Sequence, residues 1–319
     1  MNRNSLRRAI APSAVAVSLA LTLAACGGQS NGSEGDVASG AVAVDGSSTV
    51  FPLSDAAAEL LSEENADIDV TVGTSGTGGG FEAFCAGKTD ISDASRPIKE
   101  DEEVPVCDEN GVEYTELQVA VDALTVVVPK DLAVDCITTE QLNTMWAPEA
   151  QGKITNWNQV DASFPDQKLT LFGPGTDSGT FDYFTDEING EEGASRSDYE
   201  ASEEDNVIVD GVANTAGALG YFGYTYFEEN AGKLKALEVD SGEGCVAPSA
   251  ETAQSGAYTP LARPLFVYVS NKAYAEKPAV KEYVDFYIDN LTDIAEAAEY
   301  IPLNDTQLGE TRSTLEGLK

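Results

Sequence analysis

The sequence predicts an α/β fold in two lobes that close on a ligand, and three observations carry that expectation. Three times the chain passes from a strand pattern, through a turn rich in Gly, Ser and Thr, into a helical pattern: at Asp45–Pro52, at Gly73–Gly80 and at Gly173–Thr180. Strands and helices alternate along the chain, as in largely parallel sheets. Two long apolar runs, Thr115–Val128 and Arg263–Val269, are spaced so that the chain can cross from one lobe to the other and return.

The chain opens on an export signal over residues 1–25. Arg3, Arg7 and Arg8 form its charged start, and the apolar run Ala14–Leu23 is too short to span a bilayer. It ends in Leu23-Ala24-Ala25-Cys26-Gly27, a lipobox pattern in which Cys26 becomes the lipid-bearing first residue. Residues 26–40 lack apolar periodicity and read as a flexible tether. The protein is expected to be exported and lipid-anchored on the outer face of the cytoplasmic membrane. Its remaining residues divide into 41–120 (first lobe), 121–262 (second lobe) and 263–319 (return to the first).

Ala41–Val44 reads as a short buried strand, and Leu53, Ala57, Leu60 and Leu61 give the next segment a helical spacing. Ile68, Val70 and Val72 alternate as a strand. After the glycine run a helix is expected from Phe81, followed by a strand over Asp90–Pro97. Thr138–Trp146 carries a helix cap with Leu142, Met145 and Trp146 on one side. Lys168–Phe172 alternates as the strand before the third turn. Asn189–Asp205 is acidic and irregular, a solvated excursion. Ala218–Tyr224 reads as a strand with close backbone approaches at Gly220 and Gly223, its aromatics forming a wall. Val280, Tyr283, Val284 and Tyr287 line one side of a helix, and the chain beyond Asn304 is polar.

Each glycine-rich turn offers backbone N–H groups, hydroxyls and the positive end of a helix dipole, which suits a small oxyanion. Three such turns, at the carboxyl ends of strands, converge if the lobes close. The composition excludes other classes. No histidine occurs, so neither Ser-His-Asp nor Cys-His nucleophiles nor His-containing zinc sites can be built. Without Arg3, Arg7 and Arg8 the chain has 15 basic against 55 acidic residues, a net charge near −40, which excludes nucleic acid as a partner. Apart from Cys26, the cysteines are Cys85, Cys107, Cys136 and Cys245, a disulfide complement for an exported protein. Domain order favours Cys85–Cys107 with Cys136–Cys245, among three possible connectivities. Arginine is scarce: Arg96, Arg196, Arg263 and Arg312 remain. Arg96, at a strand end, reads as an anion ligand; Arg196 could reach the cleft on its loop; Arg263 reads as structural.

Asp45-Gly-Ser-Ser-Thr-Val-Phe-Pro52, Gly73-Thr-Ser-Gly-Thr-Gly-Gly-Gly80, Gly173–Thr180, Ala218-Leu-Gly-Tyr-Phe-Gly223 and Arg263-Pro-Leu-Phe-Val-Tyr268 resemble the phosphate-binding lipoprotein of the bacterial phosphate ABC importer. The likeness covers nearly all of residues 41–303, in order. It implies a two-lobed periplasmic-binding-protein fold of type 2, with inorganic phosphate buried between the lobes. It also implies a monomer that delivers phosphate to a membrane permease driven by an ATPase, with no cofactor, no metal and no chemistry of its own. The ligand set it implies is Ser48, Thr49 and the Val50 N–H from the first turn, Ser75 or Thr77 from the second, and Ser178, the Gly179 N–H and Thr180 from the third. Two positions depart from that family's pattern. The site arginine falls on Pro174 and the site aspartate on Ser95, so the positive charge is expected at Arg96 and the phosphate-proton acceptor at Asp177 or Asp93. A binder of sulfate or molybdate is the alternative within the class, and an exported phosphate-ester hydrolase the alternative outside it.

Overall fold

The structure, a computed structural model, describes residues 38–176 and 178–319. The expected export signal, Cys26, the tether up to residue 37, and Asp177 lie outside the described residues.

The first crossing run forms a single 16-residue strand, β4 (Tyr114–Pro129), whose second half is buried on both faces. Its amino half pairs antiparallel with the return strand Ala262–Ser270, and its carboxyl half pairs antiparallel with Ala218–Gly223 and Leu234–Ala236. On the amino side, β1 (Gly40–Gly46) lies parallel to β2 (Ile68–Val72) and β3 (Ile91–Ala94), and the return strand closes against β3. On the other side, Thr170–Gly173 runs parallel to Ala218–Gly223. The sheet is therefore mixed rather than largely parallel. The reason is connectivity: a chain that leaves along β4 and comes back along Ala262–Ser270 must place the two strands in opposite directions.

Each half has its own core. Val42, Leu53, Leu117, Val267, Tyr283 and Ile294 belong to one, and Val126, Leu142, Trp146, Trp157, Leu171 and Tyr221 to the other. Burial of such side chains contributes about 1.5–3 kcal/mol each before entropy is counted. Trp146 meets Phe184, Tyr199 and Tyr221 edge-on, while Phe184 stacks on Tyr221 at 3.8 Å. This aromatic cluster backs the third turn: a Cβ on Gly173 would lie 3.0 Å from Tyr221 and 3.2 Å from Trp146.

Two local expectations change. The glycine run after β2 is helical, because α2 spans Gly76–Cys85 instead of starting at Phe81. Glycine disfavours helix interiors by about 1 kcal/mol, but here the helix packs directly on β1. A Cβ at Gly80 would come within 2.5 Å of the Gly46 Cα and 3.0 Å of the Asp45 carbonyl. The polar terminus also folds. Asn304 caps a helix over Asp305–Glu316 in a capping box with Gln307, and Leu315 is buried in the first core.

Cys85 is bonded to Cys107, which ties α2 to α3 (Val104–Asn110), and Cys136 is bonded to Cys245 across the small sheet that also holds Glu238–Asp240. This is the pairing that domain order favours. The cross-links span 22 and 109 residues of chain. In the chain-entropy model they stabilise by about 3 and about 5 kcal/mol. Cys136→Ser with Cys245→Ser is therefore expected to lower the denaturation midpoint further than Cys85→Ser with Cys107→Ser, as read by urea unfolding of each double variant. An equal or reversed ranking would show that strain or residual structure outweighs loop length.

Candidate functional site

The first turn runs from Ser47 into α1 (Phe51–Glu64), which begins with Pro52 in its first turn, a position where the missing N–H costs nothing. Within the turn the Val50 and Phe51 N–H groups donate to the Ser47 carbonyl at 3.2 and 3.0 Å. The Thr49 N–H donates to Ser47 Oγ at 3.2 Å. The Val50 N–H expected to meet a ligand is thus engaged inside the turn, and the side chains of Ser48 and Thr49 are what face the cleft.

In the second turn, Ser75 stands at the start of α2 and its N–H donates to Asp45 Oδ1 at 3.0 Å. The Thr77 hydroxyl lies 3.0 Å from that of Ser95 and accepts the Ser95 N–H at 3.2 Å. In the third turn Ser178 caps the helix Gly179–Phe184, its hydroxyl accepting the Thr180 N–H at 3.2 Å. Gly179 is the meeting point. A Cβ there would lie 3.2 Å from Thr49 Oγ1 and 3.7 Å from Ser48 Oγ, so a side chain would crowd the first turn.

Two cavities open at this junction and share Ser48, Thr49 and Gly179. One, of about 250 Å³, is lined by Asp122, Ser178, Thr180, Asp205, Glu299 and Tyr300, among others. The other, of about 550 Å³, is lined by Ser75, Thr77, Ser95 and Arg96 on one side and by Asp182, Asp186, Glu187 and Glu192 on the other. All three turns therefore border connected space. Arg263 borders the larger cavity too, so it is more than the structural residue its place in the sequence suggests. Its Nη2 donates to Thr49 Oγ1 at 3.0 Å, its Nε to Asp122 Oδ2 at 3.2 Å, and its guanidinium lies 3.6 Å over the Tyr183 ring. Asp122 and Arg263 are register partners on the two crossing strands. The signal that could have found them was present: a carboxylate inside the apolar stretch Val119–Val128 of one crossing run and a scarce arginine at the head of the other.

The remaining arginines are engaged in the scaffold. Arg96 grips Glu103 through two bonds of 2.8 and 2.9 Å and lies 5.6 Å from the Phe81 ring centroid, although it borders the larger cavity. Arg196, only 4% exposed, donates to the Met145 and Ile154 carbonyls and to Asp198, and it borders neither cleft cavity. The acidic excursion that carries it is thus pinned to the second core instead of reaching the cleft. Asp93 is fully buried and hydrogen-bonded by Ser54 Oγ at 2.9 Å, which removes it from direct contact with a ligand.

Burial pushes the Asp122 carboxyl up, and Arg263 opposes that shift. Burial likewise raises Asp182, with Glu192, and Glu187, with Asp186; Arg263 pulls both down. Asp205 is pushed to about 6 by burial, followed by the nearby Glu299, Glu204 and Glu203 charges. Arg263 is therefore a cation that acts on several carboxylates at once, beside a set of hydroxyls. Such a site suits a small anion held mainly by charge-assisted and hydroxyl hydrogen bonds.

A PBP superfamily domain matches residues 31–290. A protein named SphX from Synechococcus elongatus is 51% identical over 263 residues, covering 82% of this chain and 77% of the relative. A protein named phosphate-binding protein PstS from Staphylococcus saprophyticus is 37% identical over 306 residues, 95% of this chain and 92% of the relative. The chain belongs to the phosphate-binding-protein family of the PBP superfamily. A solved structure described as a possible phosphate binding protein, from Planctomyces limnophilus, superposes with a TM-score of 0.83 at 43% identity, covering 88% of this chain and 99% of that one. The fold is thus the type 2 periplasmic-binding-protein fold, with the mixed sheet bent around a cleft between two lobes, as the sequence resemblance implies.

Arg263→Gln is expected to weaken anion binding about 10- to 100-fold, the effect of losing a charge-assisted bond of about 1.5–3 kcal/mol. Arg196→Ala should instead lower stability, because it leaves buried carbonyls without donors, while the dissociation constant stays put. Titration calorimetry and thermal unfolding of both variants separate the two roles; a reversed pattern would reassign them.

Proposed function

We propose that this chain is an extracytoplasmic solute-binding protein that captures inorganic phosphate and hands it to the permease and ATPase of an ABC importer. The observation that carries the reading is the convergence of Arg263, Ser48, Thr49 and Gly179 on one cleft. The likeness to a phosphate-binding protein PstS and to a possible phosphate binding protein supports it. Residues 41–120 and 263–319 form one lobe and residues 121–262 the other, with β4 and the return strand as the connections between them.

In this reading Ser48, Thr49, Ser75, Thr77 and Ser95 hold phosphate from the first lobe, and Ser178, the Gly179 N–H and Thr180 hold it from the second. Arg263 supplies the positive charge in place of Arg96. Asp122 faces the smaller cavity beside the third turn and is placed to accept the proton of HPO₄²⁻. Sulfate has no proton to give and meets an unpaired carboxylate instead. Asp177 stays the other candidate for that role.

In this reading the chain does no chemistry and needs no cofactor or metal: it lacks histidine, and the groups assigned to the ligand are hydroxyls, the Gly179 N–H and the Arg263 guanidinium. It works as a monomer. Export and attachment through a lipid on Cys26 follow from the leader pattern, and among the described residues no helix is long and apolar enough to cross a membrane.

Calorimetry of the mature protein is expected to give micromolar or tighter phosphate binding, much weaker sulfate and molybdate binding, and no turnover of a phosphate ester. Equal affinity for sulfate, or ester turnover, would overturn the reading. Asp122→Asn should weaken phosphate and narrow the preference over sulfate at least tenfold. If Asp177→Asn narrows it and Asp122→Asn does not, the acceptor is Asp177.

A further inference from the structure

Beneath the first turn lies a carboxyl that ligand binding does not touch. Asp93, on β3, is 0% exposed. It holds the turn from two directions. Its main-chain carbonyl accepts the Ser47 N–H at 2.9 Å, where the turn begins, and its Oδ1 accepts the Ser54 hydroxyl at 2.9 Å, in the opening turns of α1. The backbone fits closely here: a Cβ at Gly46 would lie 2.1 Å from the Asp93 carbonyl oxygen. Ser48 and Thr49, the residues that meet Gly179, lie between these two attachments.

The other carboxyl oxygen, Oδ2, has no hydrogen-bond partner among the described residues, and neither does the adjoining Ser92 hydroxyl. The groups that act on Asp93 are Ser54 from α1, the Tyr283 and Tyr287 hydroxyls from the helix Pro278–Asp289, and Asp45 from β1. Of these only Asp45 is charged, and its sign opposes a second carboxylate. A buried carboxylate with one hydrogen bond and an anionic neighbour is costly, and the neutral acid is much less so. Burial, with Asp45 adding to it and Ser54 opposing, pushes this group to about 8.

We propose that Asp93 is a positioning residue of the first turn whose proton is linked to anion capture. The inference rests on the phosphate reading above. The neutral acid leaves the positive end of the 14-residue helix α1 to face the cleft. Once ionised, Asp93 places a negative charge under the same helix end, cancels part of that field and repels the dianion. Binding therefore favours the protonated form, and by linkage the protein takes up a proton when it binds phosphate near and above the pH at which free Asp93 ionises. The sign is fixed by this: affinity falls as pH rises through about 8 and levels off above the higher value that Asp93 takes in the complex. Few other groups confuse the reading. The chain has no histidine and its four core cysteines are in disulfides.

The test is titration calorimetry of the mature protein with inorganic phosphate from about pH 7.5 to about pH 9.5, in pairs of buffers with different ionisation enthalpies. For a one-unit rise on binding, about half a proton is taken up near pH 8.5 and affinity falls roughly fivefold over the range. Asp93→Asn, which keeps an acceptor for Ser54 and every other titrating group, should remove this protein-borne uptake and flatten the profile. Ser54→Ala, which deletes the bond that lowers the Asp93 value, should move the fall in affinity to higher pH. Identical proton uptake in wild type and Asp93→Asn overturns this inference alone. Should Asn fail to fold, a Ser54→Ala profile superimposable on wild type overturns it as well. Absence of phosphate binding at every pH overturns the phosphate reading and this inference with it.

Discussion

The pairing of Asp122 with Arg263 is the contact on which the cleft depends. It joins β4 to the return strand one register position before the return strand ends and β4 passes to its second set of partners. The first turn and the second half of the molecule are both tied to Arg263. The first turn reaches the two strands through Thr49, whose hydroxyl takes a bond from Arg263, and through its carbonyl, which accepts from Tyr300 at 2.8 Å. The second half reaches them through Tyr183, whose ring lies under the same guanidinium and whose hydroxyl donates to the Pro260 carbonyl at 2.6 Å. One cation thus touches both lobes and the connection between them. An ion pair of this kind, partly shielded from water, is weak support for stability but fixes geometry well.

The same placement resolves an apparent conflict between a strongly acidic chain and an anionic ligand. Exposed carboxylates are screened within roughly 8 Å at physiological ionic strength. The polar groups that border the larger cavity include the hydroxyls of Ser48, Thr49, Ser75, Thr77 and Ser95 and the Arg263 guanidinium. Of the four carboxylates that line the larger cavity, burial raises two, Asp182 and Glu187, and Arg263 pulls both down. Arg96 and Arg196 contribute elsewhere. The first holds Glu103 at the head of α3, beside the Cys85–Cys107 bridge, and the second ties the acidic excursion to carbonyls at the end of the helix Thr139–Trp146 and at Ile154.

Much of this was legible in the chain itself. Alternating strand and helix periodicities, the helix cap in Thr138–Trp146, and the first and third Gly/Ser/Thr turns correspond to elements that form where expected. What local pattern misread was governed by contacts distant in sequence. The glycines of α2 look like a loop because their helix propensity is low, yet they are helical because β1 leaves no room for a Cβ at Gly80. The terminal helix was announced by Asn304 and Gln307, a capping signal hidden in a polar segment whose apolar face is thin.

The sequence by itself determined the class of ligand and the tools for holding it: hydroxyl-rich turns at strand ends, no histidine for chemistry, and an ordered likeness across residues 41–303. Only the tertiary structure separated the arginines: Arg96 and Arg263 both border the larger cavity, and of the two Arg263 bonds the first turn while Arg96 is held by Glu103. Arg96, Arg196 and Arg263 are equivalent as letters; the first two stand near acids in the chain, and Arg263 has none between Glu251 and Glu276. Their roles separate through pairings across 7, 2 and 141 residues respectively: with Glu103, with Asp198 and with Asp122. The last is a register match between strands that meet only after the chain has crossed to the second lobe and returned, and no local pattern encodes such a match.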